Sequence, residues 1–285
     1  MFTIPRSTQS ESVLDRNRRT REYLSHIADV AEMAREADWE MPSDPNSDEF
    51  RVFQQRMRER LAEMIDYPPP GDPIDIEPEI TPLGEDEDGE FFRVQMPLLE
   101  EGFGVEGILI RPRGEADDEP LAVAIHGGGG TPELAAGILE DGSSNYNDMG
   151  RRLVRSGHVV WMPACHEGNG NFIEENENPC PNPHTELELR ARLVQSTLSA
   201  LDIYAIIQST EIMMMLHGRR DAVAVGLSYG GFRSLMVTAL SPLFCACISS
   251  CYFNDRRPLL ETRSAEGRFC DWFFRDALGI ATDVE

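Results

Sequence analysis

The chain has 285 residues and a formal net charge of −24, because 50 acidic residues outnumber 26 basic ones, all of which are Arg. A chain without Lys is neither a P-loop NTPase nor an enzyme that forms a Schiff base, since both need a Lys amine. The acidic balance also argues against nucleic-acid binding, which needs a basic face.

The same composition bears on the conditions in which the protein works. Acidic, Lys-free sequences are typical of halophilic proteins, in which salt screens the self-repulsion of a high net charge. We interpret the sequence as halophilic; the alternative is an ordinary acidic protein from a GC-rich genome that favours Arg. The sequence has no apolar run of about 18 residues and no apolar segment of a signal peptide near Met1. We therefore expect a cytoplasmic protein without a membrane partner.

The first 70 residues predict a helical N-terminal arm. Apolar residues at helical spacing, such as Leu24 and Ile27, indicate two helices. The Pro-rich segment 67–73 ends this pattern. We expect an arm over residues 1–70 and a core domain over residues 71–285. The arm is interpreted as a packing appendage, with a lid or a dimer contact as the alternative.

Two strands are predicted at the start of the core domain. Phe92, Val94 and Met96 alternate with polar residues, and an apolar run follows at 105–110. The charged segment 84–89 is interpreted as a solvated turn, because its spacing fits no EF-hand calcium loop.

From residue 121 onward, apolar strands alternate with helices. Strands are predicted at 121–125, 159–162, 222–225 and 245–253, and helices at 146–156, 186–209 and 231–240. This alternation indicates an α/β fold in which a mostly parallel sheet carries helices on both faces. The irregular acidic stretch 165–183 is expected to be either a functional loop or a disordered one. A functional loop at the carboxyl ends of the strands would wall a ligand crevice.

The six Cys residues predict neither disulfides nor a metal site. No two of them form a CxxC motif, so we interpret all six as reduced thiols. Cys245, Cys247 and Cys251 lie in or beside an apolar run, where Cys usually packs as a small core residue.

The sequence Gly226-Leu227-Ser228-Tyr229-Gly230 is a G-x-S-x-G motif between a predicted strand and a predicted helix. This is the setting of a nucleophile elbow, in which two small residues allow a sharp turn that exposes the serine. We therefore predict Ser228 as a catalytic nucleophile, with Gly226 and Gly230 forming the elbow. The positive end of the helix dipole favours negative charge at that point.

A second motif, His126-Gly127-Gly128-Gly129-Gly130, follows an earlier predicted strand. Glycines in such a turn let the backbone approach a bound acyl group and direct an N–H at the oxyanion. Gly127 or Gly128 is the expected donor from this turn, and the Tyr229 N–H is the other. His126 itself is interpreted as a residue that organises the loop.

With these motifs, the chain resembles α/β hydrolases of the acetyl xylan esterase and dienelactone hydrolase type. The resemblance covers about residues 50–285 and is carried by PLAVAIHGGGG, GHVVWMPAC, Leu201-Asp202, DAVAVGLSYGG, and CISSCYF followed by Asn254-Asp255-Arg256. It implies an α/β-hydrolase fold and a carboxylic-ester hydrolase that acts through a serine ester. It also implies a small-molecule ester substrate and no metal or organic cofactor.

The histidines depart from the family pattern. The triad order in this fold is Ser, then Asp or Glu, then His. His26, His126, His158, His166, His184 and His217 are the six histidines, and all precede Ser228. By the resemblance, we expect the last strands of the sheet to be missing and the hydrolase to be C-terminally incomplete, with an unpaired sheet edge.

Residues of this chain can take the place of the triad acid and base only at positions that are unusual for this fold. Asp255 is either a triad acid, as in a minority of these hydrolases, or a surface turn residue, which the usual motif position favours. His166 can be the base only in a non-standard triad order. Asp202 is interpreted as a structural polar partner.

Two other functions remain open at the level of the sequence. The first is a non-catalytic binding or interaction protein on a degraded hydrolase scaffold, which the position of the histidines supports. The second is an oligopeptidase-like amide hydrolase, which is disfavoured because the segment before the core is too short for a propeller domain. The oligomeric state is left open.

Overall fold

A computed structural model describes residues 3, 5–75, 77–114, 119–140, 144–166 and 183–252. Most of the predicted acidic loop, together with Cys180, Asp255 and Cys270, therefore lies outside the described residues. Residue contacts divide the chain into two units, Met1–Met57 and Arg58–Glu285.

The first unit is helical, as the sequence predicts. Helix α1 spans Arg6–Asp38, and helix α2 spans Asp48–Met64, so that its last turns belong to the second unit. The Ser47 hydroxyl accepts a hydrogen bond from the Phe50 N–H at 3.1 Å. This N-cap fixes the start of α2, because it satisfies one of the N–H groups that the first turn leaves without a partner.

The second unit is built on a sheet whose described part has seven strands. The strands are β1 (Glu79–Glu85), β2 (Gly89–Pro97), β3 (Gly104–Pro112), β4 (Leu121–Ile125), β5 (Val160–Pro163), β6 (Ala222–Leu227) and β7 (Phe244–Ser250). The helices are α3 (Pro132–Ala136), α4 (Met149–Arg155), α5 (Pro183–Leu193), α6 (Leu198–Leu216) and α7 (Tyr229–Leu240).

The spatial order of the strands is β1-β2-β3-β5-β4-β6-β7. Strands β1, β2, β3 and β5 pair antiparallel in succession, whereas β5, β4, β6 and β7 pair parallel. Five of these strands therefore run in one direction, and β1 and β3 run in the other. The carboxyl ends of β5, β4 and β6 consequently lie side by side at one edge of the sheet.

Helices cover both faces of the central strands, because alternate residues of a strand point to opposite sides. Val160 and Met162 of β5 pack into an apolar cluster with residues of α3 and α4. Between them, Trp161 points the other way and donates its ring N–H to the Ser209 hydroxyl of α6 at 2.9 Å. The predicted α/β architecture with helices on both faces is confirmed.

The charged segment between β1 and β2 is held by arginines instead of being solvated. Arg151 of α4 contacts Asp86 and Asp88 at 2.7 Å each. Arg155, one turn further, contacts Asp88 at 2.6 Å, and the Asp88 side chain is only 6% exposed. These ion pairs tie the hairpin to α4, so the interpretation as a solvated turn is wrong at Asp88.

The predicted long helix 186–209 is in fact two helices, α5 and α6. The break falls at Gln195, which has a φ of 57°. Thr197 then starts α6, since its hydroxyl accepts from the Ala200 N–H at 2.8 Å. The apolar pattern alone does not reveal this break, because no Gly or Pro marks it.

The last predicted strand, 245–253, is observed as β7, and most of its residues are not buried. Within the described residues β7 has β6 as its neighbour on one side, and Ile248 is 59% exposed. Cys165 is buried, whereas Cys245 and Cys251 are exposed free thiols. The core packing expected of these cysteines is therefore not observed at Cys245 in β7 or at Cys251 just after it.

Candidate active site

Ser228 connects the end of β6 to the start of α7 with a strained backbone, at φ 55° and ψ −120°. This region is sparsely populated by residues other than Gly and costs on the order of 1–3 kcal/mol. Hydrogen bonds hold the conformation, because the Ser228 N–H donates to the Ser250 carbonyl at 2.7 Å and its carbonyl accepts from the Gly231 N–H at 2.8 Å. Ser228 is half-buried.

Gly226 and Gly230 allow the turn to close on itself. A Cβ on Gly226 would lie 1.9 Å from the Gly230 carbonyl oxygen, and a Cβ on Gly230 would lie 2.2 Å from the Ile125 carbonyl oxygen. Both distances are far below van der Waals contact, so a side chain at either position would force the backbones apart. The two glycines thus bring the elbow against the end of β4.

The glycine-rich turn after β4 lies directly against Ser228. A Cβ added to Gly127 would lie 3.2 Å from the Ser228 Cβ and 2.8 Å from the Leu227 carbonyl oxygen. The Gly127 N–H, however, donates to the hydroxyl of buried Tyr146 at 3.0 Å. Of the two donors expected from this turn, Gly127 is thus already engaged, and Gly128 is the better candidate.

Tyr146 was not singled out by the sequence analysis, although it organises this turn. Its hydroxyl occupies the space beside Gly130, where an added Cβ would lie 1.8 Å away. Burial raises the pKa of Tyr146 above its ordinary value. The phenol therefore stays neutral and can accept from the Gly127 N–H. No local pattern signals this role, because Tyr146 is brought to the turn by tertiary packing.

His126 holds two strand ends together, as a loop-organising residue would. Its Nε2 accepts from the Cys165 N–H after β5 at 3.0 Å, and its Nδ1 lies 2.9 Å from the Gly127 carbonyl oxygen. Since Nε2 accepts, Nδ1 carries the proton. Burial lowers the pKa of His126 to about 4, so the ring is neutral at neutral pH.

A buried ion pair with an attached histidine lies at the same edge of the sheet. Arg233 of α7 donates from Nε and Nη2 to Asp202 Oδ2 of α6 at 3.1 and 2.5 Å. His166 Nδ1, just beyond β5, lies 2.7 Å from the other carboxylate oxygen, Oδ1. Burial by itself raises the pKa of Asp202, but the charge of Arg233 and the contact with His166 lower it below its ordinary value. Asp202 is therefore ionised.

Tyr229 lies at the first position of α7, where backbone N–H groups have no acceptor within the helix. Its side chain is buried, with the Arg233 guanidinium 4.5 Å from the ring centroid. The stacked ring of Phe232 lies 5.1 Å away. These contacts fix the residue that follows Ser228.

Across the ranges that the structure describes, no three His, Cys, Asp or Glu side chains are grouped to hold a metal ion. The helices described there include none that is long and apolar enough to cross a membrane.

No protein-family model and no curated protein matches the sequence. Among solved structures, the chain is similar to a Bacteroides fragilis protein assigned as an acetyl xylan esterase, with a TM-score of 0.55 and 18% sequence identity. The chain has the α/β-hydrolase fold. The match covers 75% of this chain and 58% of the Bacteroides chain, so this chain spans less than two thirds of that protein.

Two further solved structures are similar to this chain. An acetyl xylan esterase from Paenibacillus sp. R4 has 13% identity and a TM-score of 0.46, and the match covers 81% of this chain and 71% of that one. A glucuronoyl esterase from Solibacter usitatus has 12% identity and a TM-score of 0.44, with 74% and 63% covered.

Proposed function

We propose that this α/β hydrolase is a serine hydrolase that cleaves carboxylic esters, with Ser228 as its nucleophile. The observation that carries the proposal is the strained backbone of Ser228 at φ 55° and ψ −120°. A non-Gly residue keeps such a conformation only where its surroundings impose it, and such strain is concentrated at functional sites. A serine held in this way between strand and helix is the nucleophile elbow of α/β hydrolases.

The proposed reaction is acyl transfer to water. Ser228 Oγ attacks the ester carbonyl carbon, the alcohol leaves, and water then hydrolyses the acyl-enzyme. The oxyanion would be bound by the backbone N–H groups of Gly128 and Tyr229, with support from the positive end of the α7 dipole. Removing one oxyanion donor typically costs about 3–4 kcal/mol of transition-state stabilisation.

Small acyl esters are the substrate class that we favour. The Bacteroides protein of the same fold is assigned as an acetyl xylan esterase, and the motifs around Gly127 and Ser228 resemble that type of hydrolase.

Hydrolysis of p-nitrophenyl acetate in molar KCl, compared between the full chain and Ser228→Ala, tests the proposal. We expect hydrolysis that the substitution abolishes, together with fluorophosphonate labelling of the wild type only. Ser241→Ala is the control, since Ser241 follows the far end of α7. Folded wild-type protein that neither hydrolyses the ester nor takes the label would favour the non-catalytic binding protein instead.

A further inference from the structure

We infer that helix α1 pairs with α1 of a second copy of this chain, in antiparallel orientation and through an apolar face of the helix. The residues of this face are separate in sequence from the candidate active site. A dimer formed through them does not depend on the chemistry proposed for Ser228.

The apolar face of α1, called the α1 face below, extends over about two and a half turns. It consists of four large apolar residues and one alanine, Tyr23, Leu24, Ile27, Val30 and Ala31. At about 100° per residue, these positions lie within about 120° of the helix circumference. The two acidic residues of the same turns, Glu22 and Asp29, fall outside this arc. The segment is therefore amphipathic.

The α1 face is exposed. The side chains of Leu24, Ile27 and Val30 are 56%, 43% and 48% exposed. Among the α1 side chains that the structure describes, none is buried, although the helix is 33 residues long. Most helical stability in proteins comes from packing of an apolar face, and exposed apolar patches mark interaction sites. The α1 face therefore predicts a partner surface.

The charges of α1 identify that partner, because they are divided between the two halves of the helix. Residues 6–21 contain five Arg and two acidic residues, whereas residues 22–38 contain one Arg and five acidic residues. In a parallel pair, halves of like charge would lie side by side. In an antiparallel pair, the basic half of each helix lies along the acidic half of the other, and the helix dipoles also run in opposite directions. A second copy of α1 thus carries the complementary pattern.

The charge of the rest of the chain favours the same orientation. Helix α1 has six Arg and seven acidic residues, so nearly all of the net charge of −24 lies outside it. The chain continues from the C-terminal end of α1 at Asp38. If the two faces are centred on Ile27, these ends are about 30 Å apart, which exceeds the Debye length of about 10 Å at 0.1 M salt. A parallel pair would bring both ends together.

An anionic membrane is the main alternative partner for an amphipathic helix. Helices that lie on such membranes carry Lys or Arg on the polar face of the apolar segment. In α1, the four Arg of segment 16–21 precede the α1 face, whose own turns carry Glu22 and Asp29. A chain with a net charge of −24 is also repelled by an anionic surface. These charges favour a second copy of the chain over lipid.

Sedimentation velocity of the full chain at several protein concentrations tests the pairing. In about 0.15 M KCl, where charges still act over about 8 Å, we expect a monomer–dimer equilibrium. Leu24→Glu should raise the dissociation constant at least about tenfold, because a two-fold symmetric interface carries the buried charge twice. Ser25→Glu is the matched control. It adds the same charge at an exposed position outside the α1 face and should leave the constant nearly unchanged, and circular dichroism should show equal helix content in both variants.

A pair of double variants tests the orientation. Arg16→Gln/Arg21→Gln removes two positive charges from the basic half of α1. It should raise the dissociation constant several-fold in an antiparallel dimer, where these charges attract the other helix, and lower it in a parallel dimer, where they repel. Arg113→Gln/Arg220→Gln, at exposed positions outside α1, has the same net charge and should match the wild type.

The outcomes separate the possible partners. A wild type that stays monomeric at every concentration, or a dimer that Leu24→Glu leaves intact, overturns the pairing through the α1 face. A dimer that Arg16→Gln/Arg21→Gln strengthens overturns the antiparallel orientation. Vesicles of phosphatidylcholine and phosphatidylglycerol probe the alternative partner. If the wild type sediments with them and Leu24→Glu does not, the α1 face binds lipid and the dimer is overturned.

Discussion

Gly127 packs so closely on Ser228 that a Cβ at Gly127 would lie 3.2 Å from the Ser228 Cβ and 2.8 Å from the Leu227 carbonyl oxygen. The main-chain contact is the tighter of the two, and a backbone carbonyl cannot swing aside as a side chain can. The turn after β4 and the elbow after β6 therefore keep their spacing only while residue 127 is Gly.

Gly127→Ala should separate these two turns and reduce the proposed ester hydrolysis. We expect kcat/KM to fall about 10²-fold, the effect of a misplacement of about 1 Å at a reacting centre. Gly114→Ala is the matched control, because a Cβ there meets nothing within 4 Å, and its kinetics should equal those of the wild type. Steady-state assays of both variants make the comparison; equal activities would show that the turn does not shape the site.

Tyr146→Phe should destabilise the fold. The substitution removes the acceptor of the buried Gly127 N–H, and a buried donor without a partner costs about 1–3 kcal/mol. Urea denaturation should show a lower midpoint with an unchanged slope. Tyr23→Phe, at a side chain that is 62% exposed, should leave the midpoint in place. Equal midpoints for wild type and Tyr146→Phe would contradict the role given to the hydroxyl.

Asp88→Asn should loosen the β1–β2 hairpin from α4. Asp88 accepts from both Arg151 and Arg155, and the hydrogen bond to Arg155 is the main cause of its lowered pKa. An amide keeps the shape but loses the charge, so the thermal midpoint should fall by about 3–6 °C. Glu87→Gln removes a charge from the adjacent, exposed residue and should have no effect. A similar loss in both variants would indicate a general charge effect instead of these contacts.

The elements that the sequence predicted well are those with strong local signals. Strand β4 begins and ends where its apolar run does, and the G-x-S-x-G motif alone predicts the sharp turn at Ser228. Strand β1 was not predicted, because it is polar, contains Pro82, and is defined by its pairing with β2. The break between α5 and α6 at Gln195 was not predicted either, because no Gly or Pro marks it in the sequence.

The same distinction between local sequence signals and tertiary contacts applies to the candidate site. The roles of the glycines at 127, 226 and 230 can be predicted from the sequence, because a close approach of two backbones requires glycine. The contacts of Tyr146 with Gly127 and of His166 with Asp202 join residues 19 and 36 positions apart. Such pairs are created by strand order and helix packing, which a single sequence does not encode in any local pattern.

The stability of the protein should fall in moderately acidic solution because of His126. Burial lowers its pKa from 6.5 to about 4 in the folded protein, whereas the unfolded chain keeps the ordinary value. Between these two pH values this histidine binds more protons in the unfolded chain, so its contribution to the free energy of unfolding decreases as the pH falls through that interval and is constant above it. The shift corresponds to about 3 kcal/mol.

Urea denaturation between pH 7 and 4 measures this effect. His126→Gln removes the titrating group and should flatten the dependence on pH, even where the variant is less stable at every pH. His217 should add to the wild-type slope, since burial lowers its pKa as well. His26→Gln, on the exposed surface of α1, should keep the wild-type slope; a parallel slope in His126→Gln would contradict the assignment.

Salt should stabilise this chain. Its net charge is −24, and the excess acidic side chains repel one another in the compact folded state. Raising KCl from 0.1 to 1 M shortens the Debye length from about 10 to about 3 Å. Screening also weakens exposed ion pairs such as Arg18–Glu22. This costs little stability, since each such pair contributes under about 1 kcal/mol to the free energy of unfolding. The thermal midpoint should therefore rise steeply with KCl and level off near 1 M as screening saturates. Sucrose, which does not screen charge, should give a shallow and continuous rise instead. A midpoint that is flat or falling in KCl would show that the acidic surface is no adaptation to salt.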